Sequence, residues 1–179
     1  MKSVWRQMKS GLRPGEIALR AVVVSLRDDI RIGGRVTVMI RELREADIDR
    51  VADIWLDTNI KAHSFISAQY WKSNFDLVKE QLPRAAVYVY EDNQEIQGFI
   101  GLNGEYIEGV FVSEKMQSQG IGKMLMDYAK NKRNKLVLNV YQKNTRAISF
   151  YEREGFAVQY SGLDEATGER DYVMAWQKN

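Results

Sequence analysis

The residues in this chain best suited to chemistry are Gln117-Ser118-Gln119-Gly120-Ile121-Gly122-Lys123. They lie between a strand-like segment and a helix whose apolar face is Ile121, Met124, Leu125, Tyr128 and Ala129. A loop at that junction presents unpaired N–H groups at the positive end of a helix dipole. Glycines let the backbone approach an anion closely, and Lys123 adds a charge beside it. A phosphate-bearing ligand is the natural occupant. A dinucleotide fingerprint would need a third glycine where this chain has Leu125. A nucleoside-triphosphate loop would need Gly in place of Gln117 and a hydroxyl in place of Met124 to hold Mg²⁺. The bare spacing also fits a plain turn and helix start.

A second pair, Asn144 and Tyr151, is seven residues apart, about two helical turns, and so shares one helix face. Composition narrows the chemistry further. With no cysteine, the chain has no thiol nucleophile, disulfide scaffold or thiolate metal site. With one histidine, His63, it has no two-histidine metal site, so no metal is expected.

These groups must be positioned by a chain of 179 residues, 45% hydrophobic and 28% charged, the proportions of a soluble globule. Residues 1–38 carry eight Lys and Arg against three Asp and Glu, and the rest is slightly acidic. The apolar run from Ile17 to Leu26 is short, interrupted by Arg20 and without an A-x-A cleavage pattern. No apolar stretch approaches the roughly 18 residues of a membrane span. A basic leader fits a targeting segment, a nucleic-acid arm, or an extraneous stretch ahead of a native start at Met39-Ile40-Arg41. The last reading is preferred: a weakly structured extension over 1–38, a single domain over 39–179, and a cytoplasmic protein.

Within that domain Met39 to Glu42 reads as a strand, and Ile48, Val51, Ala52 and Trp55 as the buried stripe of a helix. A polar and aromatic stretch, Thr58 to Trp71, leads into a second helix ending at Pro83. Strands at Ala85 to Glu91, Ile96 to Leu102 and Tyr106 to Val112, joined by Asp92-Asn93 and Asn103-Gly104, form an antiparallel meander. After the glycine loop and its helix come a strand at Leu136 to Tyr141 and a helix from Asn144 to Glu154, stopped by Gly155. Strands at Phe156 to Tyr160 and Tyr172 to Trp176 close the domain. The order β-α-α-β-β-β-α-β-α-β-β is that of one mixed α/β domain.

This sequence resembles the GNAT superfamily of N-acetyltransferases from about Met39 to Gln177. Gln117-x-x-Gly120-x-Gly122 is similar to the family's pyrophosphate-binding Q/R-x-x-G-x-G/A signature, and Asn144…Phe150-Tyr151…Gly155-Phe156 to its downstream block. His63-Ser64-Phe65-Ile66, Tyr70-Trp71 and Val140-Tyr141-Gln142-Lys143-Asn144 resemble the YiaC/YjaB branch of small bacterial enzymes, which implies acetylation of protein lysines. The resemblance implies a mostly antiparallel sheet splayed between its fourth and fifth strands, acetyl-CoA as donor, and direct attack by an amine. The absent cysteine independently excludes an acyl-thiol intermediate on the enzyme.

By the same resemblance the main chain of Val110, Phe111 and Val112 binds pantetheine, with an N–H facing the thioester oxygen. Gln117 to Lys123 hold the pyrophosphate, Asn144 touches the cofactor while capping its helix, and Tyr151 gives a proton to the departing sulfur. The two valines also fit as plain core residues, and Tyr151 as a half-buried aromatic. Tyr106 stands where the family places a general-base Glu, a departure from its pattern. Glu105 and Glu108 flank that position, and alternation puts Glu108 on the face of Val110 and Val112. Glu108, Glu105, His63 or water are the candidate bases, with surface charge the plain reading of either carboxylate. His63, Phe65, Tyr70, Trp71 and Tyr106 are expected to wall the acceptor channel, with core packing the alternative. A protein N-terminus, a small amine or an aminoacyl-tRNA remain open as acceptors, as does a non-catalytic CoA-binding module. The slightly acidic domain argues against nucleic acid, no membrane partner is expected, and the protein would be a monomer or homodimer.

Overall fold

The computed structural model describes residues 30–32 and 36–178, with side chains from residue 38 onward. The basic extension expected over 1–38 therefore lies almost wholly outside the described residues. Two short strands come first, β1 (Ile30–Ile32) and β2 (Val36–Glu42), paired antiparallel. β2 begins at Val36 rather than at Met39, because the β-branched run Val36-Thr37-Val38 continues the same extended pattern. Then come helices α1 (Ile48–Ala62), α2 (Ala68–Ser73) and α3 (Phe75–Gln81), and strands β3 (Ala86–Asp92), β4 (Glu95–Asn103) and β5 (Tyr106–Val112). Helix α4 (Ile121–Lys132), strand β6 (Lys135–Tyr141), helix α5 (Thr145–Arg153) and strands β7 (Ala157–Asp164) and β8 (Glu169–Gln177) complete the chain.

The expected second helix is thus two pieces. Ser67 caps α2 by accepting the Gln69 N–H, and the Asn74 side chain donates to the Tyr70 carbonyl at the break. The closing hairpin is longer than its apolar residues suggest. Thr167 and Gly168 donate their N–H groups to the Asp164 carbonyl, and Gly168 takes φ +71°, so the turn extends both strands. β7 is an edge strand exposed over most of its length, so its sequence lacks apolar alternation.

The eight strands form one sheet in the order β1-β2-β3-β4-β5-β6-β8-β7. Every neighbouring pair is antiparallel except β5 with β6. Alternation sends Tyr88 and Tyr90 of β3 to one side, against α4 and α5, with Ile100, Leu125 and Met174. Val87 and Val89 go to the other, against α1–α3, with Val51, Trp55 and Phe99. Burial of each such side chain contributes roughly 1.5–3 kcal/mol, and together the two layers hold the sheet rigid between them.

One irregularity decides where the site lies. Leu102 pairs with Ile107 but Gly101 with Gly109, which leaves Glu108 as the extra residue of a β-bulge. The bulge bends β5, and its parallel pairing with β6 stops after Tyr106↔Val137 and Ile107↔Leu138. Beyond those pairs the strands part, so the splay expected between the fourth and fifth strands of the domain is present. Gly109 belongs to this bend: a Cβ there would stand 2.4 Å from the Phe111 ring, which covers it while stacked on Phe99.

Candidate active site

A cleft of about 1120 Å³ enters the sheet at the parting of β5 and β6. On its β5 side, Ser113 donates its N–H to the Gln97 carbonyl at 2.8 Å. By the alternation of an antiparallel ladder, Phe111 then faces β4, while Val110 and Val112 turn their N–H and C=O toward the gap. The Val112 carbonyl is held from the loop by the Gln117 side chain, whose Nε2 donates to it at 3.1 Å. Gln117 therefore fastens the glycine loop to the end of β5.

At the outer end, Gly120 takes φ +86°, a conformation glycine adopts without strain, and serves as the N-cap of α4. The first intrahelical bond there runs from the Met124 N–H to the Gly120 carbonyl. The N–H groups of Ile121, Gly122 and Lys123 have no partner within the helix and remain to donate to an anion. Ser118, also at positive φ, has its hydroxyl 3.3 Å from Arg146 Nη2, which brings the first turn of α5 to this cradle. Lys123, expected to supply the charge, is paired with Asp127 one helical turn on, at 2.7 Å. Gln119 faces away and donates to the Lys115 carbonyl, so it does not line the cleft.

Deeper in, Asn144 caps α5 by accepting the Ala147 N–H at 3.2 Å. That leaves its Nδ2 to donate to His63 Nε2 at 3.1 Å. His63 Nε2 is therefore the acceptor, which engages the lone pair a general base would use. The ring stacks on Trp71 and meets Tyr141 edge-on, centroids 5.3 and 5.1 Å apart. His63 thus ties the α1–α2 connection to the cap of α5. Tyr151 is buried, between Phe150 and Phe156, and lines the cleft. Burial pushes its phenol well above the ordinary value, so it holds its proton throughout the neutral range.

On the acceptor side, the bulge corrects one expectation. Ile107, Val110 and Val112 all pack on the α4 side, because the extra residue reverses the alternation. Glu108 lies on the opposite face, where its Cβ approaches Gly101, and not on the face of the two valines. It lines the cleft, as Tyr106 does; Glu105, in the β4–β5 turn, does not, and its carbonyl accepts the Val137 N–H. Tyr106 donates its hydroxyl to Asn139 Oδ1 at 3.0 Å, and Asn139 Nδ2 donates to Asp171 Oδ2 at 2.7 Å.

Tyr70 and Trp71 line the cleft, whereas Phe65 stands behind it, against His63 and Tyr141. Tyr141 donates to Asp164 Oδ2 at 2.5 Å. Burial, helped by the Asp164 charge, pushes Tyr70 up to about 12. Burial, with the hydrogen bond to Asp164, raises Tyr141 as well. The channel is thus walled by neutral phenols and by the carboxyl groups of Glu108, Asp164 and Asp171.

A family model described as an acetyltransferase (GNAT) domain matches residues 83–158, which include the bulged strand, the glycine loop and Tyr151. The peptidyl-lysine N-acetyltransferase YiaC of Escherichia coli is 34% identical over 140 residues, 77% of this chain and 96% of that protein. The chain belongs to the GNAT acetyltransferase family. The peptidyl-lysine N-acetyltransferase YjaB of Salmonella typhimurium is 34% identical over 122 residues, 68% of this chain and 84% of that protein. The apo solution structure of YjaB from Escherichia coli superposes with a TM-score of 0.72 at 26% identity, over 80% of this chain and 99% of that one. At 20% identity, the Thermoplasma acidophilum PaiA N-acetyltransferase, solved with coenzyme A, shares the fold with a TM-score of 0.67, over 79% and 99% of the two chains.

This GNAT chain carries the parts a thioester donor with a diphosphate tail requires. They are an amide cradle with Arg146 beside it, and a slot edged by the main chain of Val110 and Val112, the Val112 carbonyl being the one held by Gln117. Among the described residues no group of three or more His, Cys, Asp or Glu could hold a metal ion. No helix among them is long and apolar enough to cross a membrane. Arg146, Asn139, Asp164 and Asp171 were not anticipated as site residues. Asn139 had a legible signal, being a polar residue within the otherwise apolar run Leu136 to Tyr141, whereas Asp171 follows Glu169 and Arg170 and reads as part of a charged turn.

Proposed function

We propose that this protein transfers an acetyl group from acetyl-CoA to the side-chain amine of a protein lysine by direct attack. The observation that carries the reading is the parting of β5 and β6, which opens a slot from the amide cradle to an acid and aromatic channel on the α1 side. The lysine acceptor draws further support from the 34% identity to YiaC and YjaB, both named for peptidyl-lysine acetylation.

Bound acetyl-CoA would supply an acetyl group activated as a thioester. In this reading the N–H groups of Ile121, Gly122 and Lys123 and the Arg146 guanidinium hold the diphosphate. The main chain of Val110 and Val112 lines the pantetheine, with an N–H placed to stabilise charge developing on the acyl oxygen. Tyr151 keeps its proton until the sulfur leaves and then donates it. Glu108, on the acceptor face through the bulge, takes the proton of the incoming ammonium directly or through water, and Tyr106 shapes the site beside it. His63 positions the acceptor wall through Asn144. The requirement for acetyl-CoA assigns the protein to the cytoplasm in this reading.

The test is to follow free thiol with acetyl-CoA and lysine-containing proteins, and to map acetylated sites by mass spectrometry. Lysine-dependent thiol release is expected. Release with other amines but with no lysine in protein or peptide would overturn the assignment of the acceptor.

A further inference from the structure

Asp171 is set into the acceptor side of the cleft in a way the reaction above does not use. It lies on β8, is 6% exposed, and its neighbours across the sheet are Tyr141 and Gly162. Its Oδ2 accepts from Asn139 Nδ2, and its Oδ1 is buried with no hydrogen-bond donor. A carboxylate has capacity for about four such bonds, so this one is largely unsatisfied where desolvation is costly. No basic side chain pairs with it among the described ion pairs. The backbone is shaped to admit it: a Cβ on Gly162 would stand 2.5 Å from Oδ1. On its other side, the chain Tyr106 to Asn139 to Asp171 fixes the carboxylate in orientation from the base of the splay.

Asp164, by contrast, has a donor on each of its oxygens. It takes the Tyr141 hydroxyl on one oxygen and the Ala166 N–H on the other, and so belongs to the turn it closes.

We infer that Asp171 is the cation-recognising group of the acceptor channel, receiving the lysine side chain as an ammonium ion before its proton is removed. A buried carboxylate to which no basic side chain is ion-paired, lining the cleft together with the phenols of Tyr70, Tyr106 and Tyr141, is completed by a cation that brings N–H donors. This rests on the lysine reading and adds the residue that selects charge. Tyr106 and Asn139 act through Asp171 as positioning residues.

The test compares two forms of one peptide, one bearing a free, unmodified lysine at a position the enzyme acetylates and the other norleucine there, neutral and of similar length. Each is titrated by calorimetry into the enzyme saturated with coenzyme A, so that no turnover occurs. The wild type is expected to bind the lysine form at least tenfold more tightly. In Asp171→Asn, which keeps shape and volume, that ratio should fall to near one, with coenzyme A affinity and melting temperature retained. Gly162→Ala, which crowds Oδ1, should lower the ratio in the same direction while leaving the carboxylate in place. An unchanged ratio in folded, cofactor-binding Asp171→Asn, or no preference for lysine in the wild type, would overturn the inference while lysine acetylation itself stands. Absence of lysine acetylation by the wild type would remove both.

Discussion

Replacing Tyr151 with phenylalanine removes one oxygen and leaves the ring in place. The ring is held by Phe150 and Phe156, with centroids 5.3 and 5.8 Å away, and phenylalanine preserves both contacts. The stability change should stay within about 1 kcal/mol, as for substitutions that leave no cavity. The effect on rate follows from the leaving group. A general acid contributes roughly 10²–10⁴-fold, and a thiol with a pKa near ~8.5 departs with less help than an alkoxide. The lower end applies, a loss of roughly 100-fold in kcat, or about 2.7 kcal/mol. Because burial raises the phenol's pKa, the wild type should not lose activity through Tyr151 ionisation anywhere below pH 10, the group's ordinary value. Continuous thiol release would give kcat across pH, and calorimetry the affinity for acetyl-CoA, expected to be unchanged. Undiminished turnover in the variant would remove Tyr151 from proton transfer. A matching loss of acetyl-CoA affinity would make it a binding residue instead.

Asn144→Asp should still cap α5 by accepting from Ala147 but cannot donate to His63. It is expected to keep most of the roughly 1 kcal/mol of cap stability that Asn144→Ala loses, while both variants raise the acceptor KM; equal KM in wild type and Asp variant would refute the His63 tie. Arg41→Met strands Asp47 and Glu91, whose carboxylates it meets at 2.5 Å on one side and 2.6 Å on the other. Urea unfolding should show a loss of about 3–5 kcal/mol, and a loss below 1 kcal/mol would show the pair to be solvated. Burial raises the phenols of Tyr70, Tyr88, Tyr90 and Tyr141 above their unfolded value of 10.0, Tyr70 to about 12. Stability from these groups is therefore intact below pH 10 and falls as pH rises through the folded-state values, which chemical unfolding at pH 9 and 11 would reveal as a lower midpoint at the higher pH.

Much of the site was legible because its parts are local. The Gly120 loop, the apolar face that follows it, and the Asn144–Tyr151 spacing are all set by neighbours within two helical turns, so residue order alone displays them. The splay was legible only through family resemblance, since no residue of β5 reads as unpaired. Its physical origin, the extra residue at Glu108, was hidden, because a bulge is a mismatch between two strands and neither carries it alone. Strict alternation therefore placed Glu108 on the wrong face. The pairing of the Lys123 ammonium with Asp127, one helical turn on, is likewise a fact of side-chain placement that residue order alone does not display.

By itself the sequence determined the element order from β3 onward, the glycine loop at the start of a helix and the absence of a thiol, because helix periodicity, glycine conformation and composition are properties of short stretches. Tertiary structure decided that Glu108 and not Glu105 lines the cleft, that His63 accepts a hydrogen bond from Asn144, and that Tyr106, Asn139 and Asp171 form one polar row. Those facts depend on strand register and on side chains 81 or 32 residues apart meeting in a cleft, and distance through space is not written in distance along the chain.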